Sequence, residues 1–264
     1  MNNRTTKLPE GKQSANPKSL HASRLTSHAA LVIFAKAPIP GQVKTRLCPP
    51  LTPDEAATLH GSFVLDTLER TKLATTTLKL PCDRYLACTP SSTHVFFKIM
   101  EERHGVKVID QVGEDLGARM HQAFETIFAR GYRQVLIIGT DVPTVPLDHL
   151  KQALTMLEQH DLVLGPAQDG GYYLIGLKRP HPTLFRDIPW STDQVLKLTQ
   201  DKAATMGLKA ALLELWRDVD TIADLQALID ANIADGKKPK NERTFSNRTA
   251  GVLETLAKRI RSRA

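Results

Sequence analysis

Short apolar runs alternate along the chain with longer segments whose apolar residues recur at helical spacing. The short runs are rich in Val, Ile, Leu and Ala, which is typical of strands that are buried on both faces of a parallel sheet. We predict strands at 31–35, 85–88, 106–109, 135–138, 162–164, 172–175 and 210–213. We predict helices at 53–73, 92–103, 116–130, 147–157, 193–206 and 222–233. The alternation predicts an α/β fold with a mostly parallel sheet that binds its ligands at the carboxyl ends of the strands.

Charge is distributed unevenly along the 264 residues. Of the net charge of +7, residues 1–28 contribute +4 and residues 236–264 contribute +7, which leaves −4 for the rest. We therefore expect a single folded domain over residues 30–235, with flexible basic tails at 1–29 and 236–264. The mildly acidic domain argues against a specific nucleic-acid surface. Solvated ends are the favoured interpretation of the tails, and non-specific contact with RNA or an anionic membrane is the alternative.

The composition also bears on the location of the protein. No apolar run is long enough to cross a bilayer, and the N-terminal region lacks the apolar core of a secretory signal. That region is Ser/Thr-rich and faintly resembles an organelle transit peptide, although disorder is the favoured interpretation. Cys48, Cys82 and Cys88 are odd in number and form no CxxC pair. We predict a cytoplasmic protein with reduced thiols and no membrane span.

The loop after the first predicted strand carries an unusual set of residues. Two prolines and Gly41 exclude a helix and indicate a stiff turn. Lys36, Lys44 and Arg46 place three cations on this loop, and Thr45 lies between two of them. Cations and free backbone N–H groups at the end of a first strand are suited to the phosphates of a nucleotide. The alternative is a proline-rich surface loop with solvated charges.

A single carboxylate follows the predicted central strand 135–138. Gly139 allows a ligand to approach the backbone, and Pro143 prevents the chain from continuing directly into a helix. Asp141 is therefore well placed to bind Mg²⁺ or Mn²⁺ that bridges a diphosphate. The alternative is an aspartate that caps the following turn. Together with the cationic loop, the position favours the metal ligand.

Two further carboxylates precede the predicted helix 222–233. Asp218 and Asp220 are one residue apart on an extended segment, so their side chains point to the same side. We predict that Asp220 is the second metal ligand, with Asp218 behind it. The alternative is that Asp220 or Thr221 is the N-cap of the helix.

A glycine-rich turn separates the predicted strands 162–164 and 172–175. Asp169, Gly170 and Gly171 could form the turn of a β-hairpin, and this explains the glycines. A hairpin turn does not explain why the polar pair Gln168 and Asp169 lies at the ligand-binding edge of the sheet. We therefore predict that the two glycines line an acceptor site, with Asp169 as acceptor ligand or general base.

Two helix starts carry candidate ligands. Trp190, Ser191 and Thr192 precede the predicted helix 193–206, where they could cap the helix and fill the core or contact the acceptor. Asp115 and Arg119 are four residues apart and share a helix face, so they could form an ion pair, or Arg119 could reach a phosphate.

These motifs resemble, in the same order, those of bacterial glycosyltransferase-like proteins that are often labelled arsenosugar-biosynthesis glycosyltransferases. The resemblance implies a three-layer α/β/α fold of the GT-A (nucleotide-diphospho-sugar transferase) type. It also implies that Asp141 stands where such folds hold the metal. The motifs are at residues 34–47, 139–143, 165–172, 190–192 and 218–221, within a span of about 31 to 230.

A weaker resemblance is to 2-phospholactate guanylyltransferases, which also have a first loop ending in a KTRL-like run and a late Asp-x-Asp-Thr. In that comparison Lys36, Lys44 and Arg46 match the cations that bind a nucleoside triphosphate. The chain departs from the guanylyltransferase pattern at residues 165–173.

The leading functional hypothesis from sequence is a metal-dependent glycosyltransferase that moves a sugar from a nucleotide-diphosphate donor to a small-molecule acceptor. In it the cationic loop binds the diphosphate, Asp141 and Asp220 hold Mg²⁺ or Mn²⁺, and Asp169 with residues 190–192 shapes the acceptor pocket. Transfer of a nucleotidyl group from a nucleoside triphosphate is the alternative, which the three cations favour. A non-catalytic nucleotide-binding protein is the second alternative.

Overall fold

The computed structural model of the protein describes Met1 and residues 28–261. Within these residues the strands are β1 (Ala29–Lys36), β2 (Cys82–Thr89), β3 (Lys107–Asp110), β4 (Gln134–Ile138), β5 (Leu162–Pro166), β6 (Tyr172–Leu177) and β7 (Ala210–Leu212). They form one sheet in the order β3-β2-β1-β4-β6-β5-β7. β6 runs antiparallel to β4 and β5, whereas the other neighbouring strands are parallel. The predicted α/β fold with a mostly parallel sheet is confirmed.

Helices cover both faces of this sheet. They are α1 (Pro53–Thr77), α2 (Val95–His104), α3 (Leu116–Phe128), α4 (Asp148–Gln159), α5 (Val195–Thr205), α6 (Ile222–Gly236) and α7 (Asn247–Arg261). Because side chains alternate along β1, Ile33 packs with the core beneath α1, α2 and α4, whereas Val32 packs with the core beneath α3 and α5. The predicted three-layer arrangement is therefore also confirmed.

Local capping signals set two of the helix starts. Thr52 begins α1 with a reciprocal pair of hydrogen bonds to Glu55, as a capping box does. Thr221 begins α6 in the same way with Asp224. Thr221 is thus the N-cap of α6, and Asp220 is not needed for that purpose.

The C-terminal region differs from the expected tail. Residues 247–261 form α7, which packs on α1 and α6 through an apolar cluster that includes the fully buried Leu253 and the nearly buried Leu256. The helix is amphipathic, because the residues on its inner face recur at helical spacing: Thr249, Leu253, Leu256 and Ile260. The high positive charge of the segment obscured the pattern. Expecting a flexible tail over 236–264 was therefore wrong for α7.

A buried carboxylate fixes the start of α7 to α1. Asp66 is only 3% exposed and accepts hydrogen bonds from Ser246 Oγ at 2.9 Å, Thr249 Oγ1 at 2.6 Å and Arg248 Nη1 at 2.9 Å. Burial raises the pKa of Asp66, and the hydroxyl donors and Arg248 oppose that rise. Because Ser246, Arg248 and Thr249 all donate to this one carboxylate, Asp66 holds the start of α7 against α1.

Replacing this carboxylate should loosen α7. We expect Asp66→Ala to lower the free energy of unfolding by about 2–3 kcal/mol, because it removes charge-assisted hydrogen bonds and leaves buried donors unpaired. Urea denaturation measures the loss. Glu69→Ala is the matched control, since Glu69 pairs with the same Arg248 at 2.8 Å but is 46% exposed. The control should cost less than about 1 kcal/mol, and equal losses in both variants would contradict the proposed anchor.

The N-terminal tail predicted at 1–29 lies outside the described residues except for Met1 and residues 28–29, and β1 already begins at Ala29. Over the described part of the chain, none of the helices combines the length and apolarity needed to span a bilayer.

Candidate functional site

The predicted site residues converge at the carboxyl edge of the sheet. Lys36 ends β1, and the cationic loop follows it. Asp141 follows β4, Asp169 lies in the turn between β5 and β6, and Asp220 lies beyond β7, next to α6. Groups that are up to 184 residues apart in the chain thus share one edge of the sheet.

A buried lysine occupies the centre of this edge. Lys44 Nζ lies 2.5 Å from Asp141 Oδ1 and 2.8 Å from Asp220 Oδ1, and it donates a hydrogen bond to Val219 O at 2.7 Å. Its side chain is only 4% exposed. Burial alone would lower the pKa of Lys44, but Asp141 and Asp220 raise it overall, so the group is a cation.

This arrangement differs in detail from the one predicted for a metal. We expected a metal ion between Asp141 and Asp220, with Lys44 bound to phosphate. The Lys44 ammonium itself stands between the two carboxylates. Lys44 also has a left-handed backbone, with φ 49° and ψ 36°, which is unfavourable for a residue with a side chain. The strain is consistent with a residue whose position the site requires.

Asp141 presents two different sides. Its Oδ1 atom is buried and faces Lys44, whereas the side chain as a whole is 44% exposed. Burial would raise the pKa of Asp141, but Lys44 and then His60 lower it overall. Asp141 O accepts a hydrogen bond from Val219 N at 3.0 Å, which ties the segment after β4 to the segment before α6.

His60 is a site residue that the sequence did not reveal. It lies on α1, is 4% exposed, and has Nε2 3.1 Å from Lys36 O and Nδ1 4.0 Å from Asp141 Oδ1. Burial lowers the pKa of His60, so the imidazole is neutral near pH 7. The available signal was a polar residue on the buried face of a predicted helix, a pattern that many core histidines share.

A cluster of three carboxylates adjoins the lysine. Asp169, Asp218 and Asp220 each place one oxygen within 4.8 Å of the others. Asp218 is 8% exposed, and burial together with the charges of Asp169 and Asp220 raises its pKa to about 6. Hard carboxylate oxygens in this arrangement are the ligands that Mg²⁺ and Mn²⁺ prefer, and a divalent cation would relieve the repulsion. The donor set therefore fits the predicted ion, with Asp218 in a larger role than expected.

The cations lie on the other side of Lys44. Lys36 and Arg119 line a cavity of about 200 Å³ next to β1 and β2, together with Ala37, Gln42, Val43, Thr89 and Pro90. Gly41 has φ 79° and forms the turn predicted from the sequence, and Thr45 and Arg46 are exposed in the short 3₁₀ turn that follows Lys44. The carboxyl edge thus has a cationic half, which is the cavity lined by Lys36 and Arg119, and an acidic half, which is the cluster of Asp169, Asp218 and Asp220.

The candidate ligands at the two helix starts, α3 and α5, make contacts within the protein. Asp115 caps α3 by accepting a hydrogen bond from Ala118 N at 2.7 Å, and Arg119 instead donates from Nε to Gly113 O at 3.0 Å. The indole of Trp190 lies directly against Gly117, where any side chain would overlap it. Packing therefore accounts for the position of Trp190.

Of the predicted acceptor residues, Gly170 and Gly171 lie next to Asp169. Gly170 has φ 86° and packs against the backbone of Asp193, and Gly171 N donates to Asp169 Oδ1 at 2.8 Å. Ser191 has φ 67°, and Thr192 Oγ1 donates to Pro189 O at 2.7 Å. The turn after β5 and the start of α5 are therefore in contact.

The fold and this charged edge define the class of α/β nucleotidyltransferase and GT-A-like proteins. A structure of a protein from Desulfovibrio desulfuricans G20, described as a proposed nucleotide-diphospho-sugar transferase, matches with a TM-score of 0.76 and 33% identity. The match covers 89% of this chain and 98% of that one. Residues 72–192 also match the family described as "Uncharacterized protein conserved in bacteria (DUF2064)". The chain belongs to the same family as the Desulfovibrio protein.

Two curated proteins are more distant relatives. The phosphoenolpyruvate guanylyltransferase of Chloroflexus aurantiacus is 26% identical over 171 residues, or 64% of this chain and 78% of the relative. The 2-phospho-L-lactate guanylyltransferase of Methanocaldococcus infernus is 28% identical over 75 residues, or 28% of this chain and 33% of the relative. The protein is a transferase, as predicted, and the resemblance to guanylyltransferases is confirmed at this distance.

The central lysine should be essential for stability. We expect Lys44→Met to lower the free energy of unfolding at pH 7.5 by about 3–5 kcal/mol, because Asp141 and Asp220 would face each other without a cation. Urea denaturation measures the loss. Lys36→Met is the matched control, since Lys36 is exposed and forms no salt bridge in the described part of the chain. A loss for Lys44→Met no larger than that of the control would contradict the structural role.

The buried Asp218 should make stability depend on pH. Its pKa is higher in the folded protein, at about 6, than its ordinary value of 3.8, so ionisation destabilises the fold as pH rises through about 6. We expect Asp218→Asn to raise the free energy of unfolding by about 1–3 kcal/mol at pH 7.5 and to change it little at pH 4. Asp230→Asn, at an exposed position of α6, should show no such dependence. An equal effect of Asp218→Asn at both pH values would refute the assignment.

Proposed function

We propose that the protein transfers a nucleotidyl group from a nucleoside triphosphate to a hydroxyl group of a small molecule, with Mg²⁺ or Mn²⁺. The observation that carries this proposal is the divided edge of the sheet. Unpaired cations lie on one side of Lys44, and three carboxylates lie on the other. A phosphate chain across this division would have cations at one end and an ion site at the other.

The cationic half favours a triphosphate over a diphosphate sugar. Lys44 is engaged by Asp141 and Asp220, so the phosphates depend on other cations. Lys36 and Arg46 form no salt bridge among the described residues. A triphosphate carries more charge than a diphosphate ester and gains more from several unpaired cations. The distant guanylyltransferase relatives support the same choice.

The acidic half supplies the ion ligands in this proposal. Asp218 and Asp220 hold the ion, because an ion between Asp141 and Asp220 would have to displace Lys44. When bound, Mg²⁺ or Mn²⁺ neutralises phosphate oxygens and stabilises the leaving group. Asp141 retains Lys44 and thereby holds Asp220 in position.

The remaining carboxylate serves the acceptor. Asp169 is the exposed member of the cluster and adjoins Gly170, Gly171 and the start of α5. In the transfer, the acceptor oxygen bonds to the α-phosphorus, and the bond from that phosphorus to the bridging oxygen breaks. Pyrophosphate leaves, and the proton of the acceptor hydroxyl passes to Asp169.

Glycosyl transfer is the second candidate, because the Desulfovibrio relative is described in those terms and is 33% identical. In that reaction the acceptor oxygen would bond to the anomeric carbon of a sugar, and a nucleoside diphosphate would leave. The resemblance in sequence to proteins labelled arsenosugar-biosynthesis glycosyltransferases belongs to this candidate.

Two further parts of the proposal concern the location of the protein and its binding partners. Cys48, Cys82 and Cys88 are free thiols, which supports a cytoplasmic location where thiols stay reduced. We propose a small-molecule acceptor and no specific nucleic-acid partner, because the ligand-binding edge is largely acidic beyond β4.

Binding measurements can separate the two donors. We expect isothermal titration calorimetry with Mn²⁺ to show at least about tenfold tighter binding of GTP or CTP than of the GDP- or CDP-sugar with the same base. Tighter binding of the nucleotide sugar would favour glycosyl transfer. Binding of neither donor would remove both candidates.

A variant of the ion site provides the control. Asp220→Asn should fold, because the amide oxygen can still accept a hydrogen bond from Lys44, but it should lose the Mn²⁺ dependence of nucleotide binding. If Mn²⁺ strengthens binding equally in this variant, Asp220 is not an ion ligand.

A further inference from the structure

The cavity next to β1 and β2 belongs to the cationic half of the sheet edge. Its lining contains two cations, Lys36 and Arg119, and no acidic side chain. Lys44, the most central cation of the first loop, is not part of the lining. The chemistry of the cavity therefore depends on what these two remaining cations can bind.

Arg119 is held at one end and free at the other. Its Nε donates to Gly113 O at 3.0 Å, and no other hydrogen bond or salt bridge of this side chain occurs in the described structure. Asp115, which shares a helix face with it, is used as the cap of α3. The two terminal amino groups of the guanidinium thus remain available to a ligand in the cavity.

The backbone beneath Arg119 is closely fitted. Gly113 has φ 142°, and a Cβ at this position would lie 2.7 Å from Ala118 Cβ and 2.7 Å from Arg119 N. Only glycine therefore allows the loop to approach the first turn of α3 and to present its carbonyl to Arg119 Nε. Anchoring of Nε reduces the freedom that the guanidinium would lose on binding a ligand.

Lys36 completes the receptor from the side of β1. Its carbonyl accepts a hydrogen bond from His60 if Nε2 carries the proton, at 3.1 Å, which fixes the backbone, and its ammonium forms no salt bridge among the described residues. Neither Lys36 nor Arg119 forms a salt bridge among the described residues, so both charges can act on a ligand in the cavity. A ligand with several negative oxygens satisfies both.

We propose that Arg119, together with Lys36, binds the phosphate chain of the nucleoside triphosphate and selects it over a nucleotide sugar. This inference rests on the proposed function and adds Arg119 to it as a binding residue. The planar fork of the guanidinium binds phosphate oxygens through two parallel hydrogen bonds, which lysine cannot provide.

The test compares several phosphate ligands. Arg119→Gln should weaken ATP, GTP, CTP, UTP and inorganic tripolyphosphate by a similar factor of at least about tenfold, measured by calorimetry. Arg119→Lys should restore part of the affinity, and nucleotide sugars should lose less than triphosphates. Arg103→Gln, at an exposed position of α2, is the matched control and should leave all affinities unchanged.

Other outcomes would overturn the inference. A loss confined to one nucleotide would make Arg119 a reader of the base, and no loss at all would limit it to holding Gly113. The melting temperature without ligand separates binding from folding, because it should change little in Arg119→Gln. If the unmodified protein binds tripolyphosphate through Arg119 but no nucleoside triphosphate, the anion site stands and the proposed function fails. If it binds neither, both fail.

Discussion

The structure depends on the burial of one ammonium group between two carboxylates from distant parts of the chain. Lys44 comes from the loop after β1, Asp141 follows β4, and Asp220 precedes α6. Taking a lysine out of water is costly, and the cost is offset here by two charged partners and the carbonyl of Val219. Because Lys44 is paired with both carboxylates, it joins the three segments, and its removal would leave the two carboxylates without a cation. The interaction thereby brings together the cationic and acidic halves of the sheet edge.

Apolar packing next to the charged residues supports this interaction. Leu47 lies three residues after Lys44 and is fully buried, and Val219 lies between the two acids and is 1% exposed. Both belong to the cluster that α7 closes with Leu253. Side chains alternate along the extended segment 218–220, so Val219 points into the core while Asp218 and Asp220 point to the other side. The C-terminal helix therefore contributes to the geometry of the charged edge through apolar packing.

Much of this architecture could be predicted from the sequence, because the signals are local. Buried strands appear as continuous apolar runs, and Thr52 begins α1 with the capping box that Pro53 and Glu55 suggest. The convergence of the predicted acids also follows from topology, since carboxyl ends of parallel strands share an edge. The pairing of Lys44 could not be predicted in this way. It joins residues 176 positions apart, and nothing near Lys44 in the sequence distinguishes a lysine that binds phosphate from one that binds aspartate.

The carboxylates in the acidic half of the edge lie close enough to repel one another. Asp218 is buried beside two other carboxylates, and this environment disfavours its charge and raises its pKa to about 6. A core without functional constraint would have no reason to retain such a group, because an amide of the same shape would relieve the repulsion. Asp220 belongs to this cluster and also contacts Lys44, so the charge of the cluster acts directly on the lysine. A cation bound by this cluster would therefore act on Lys44, and with it on the loop after β1, through a single carboxylate.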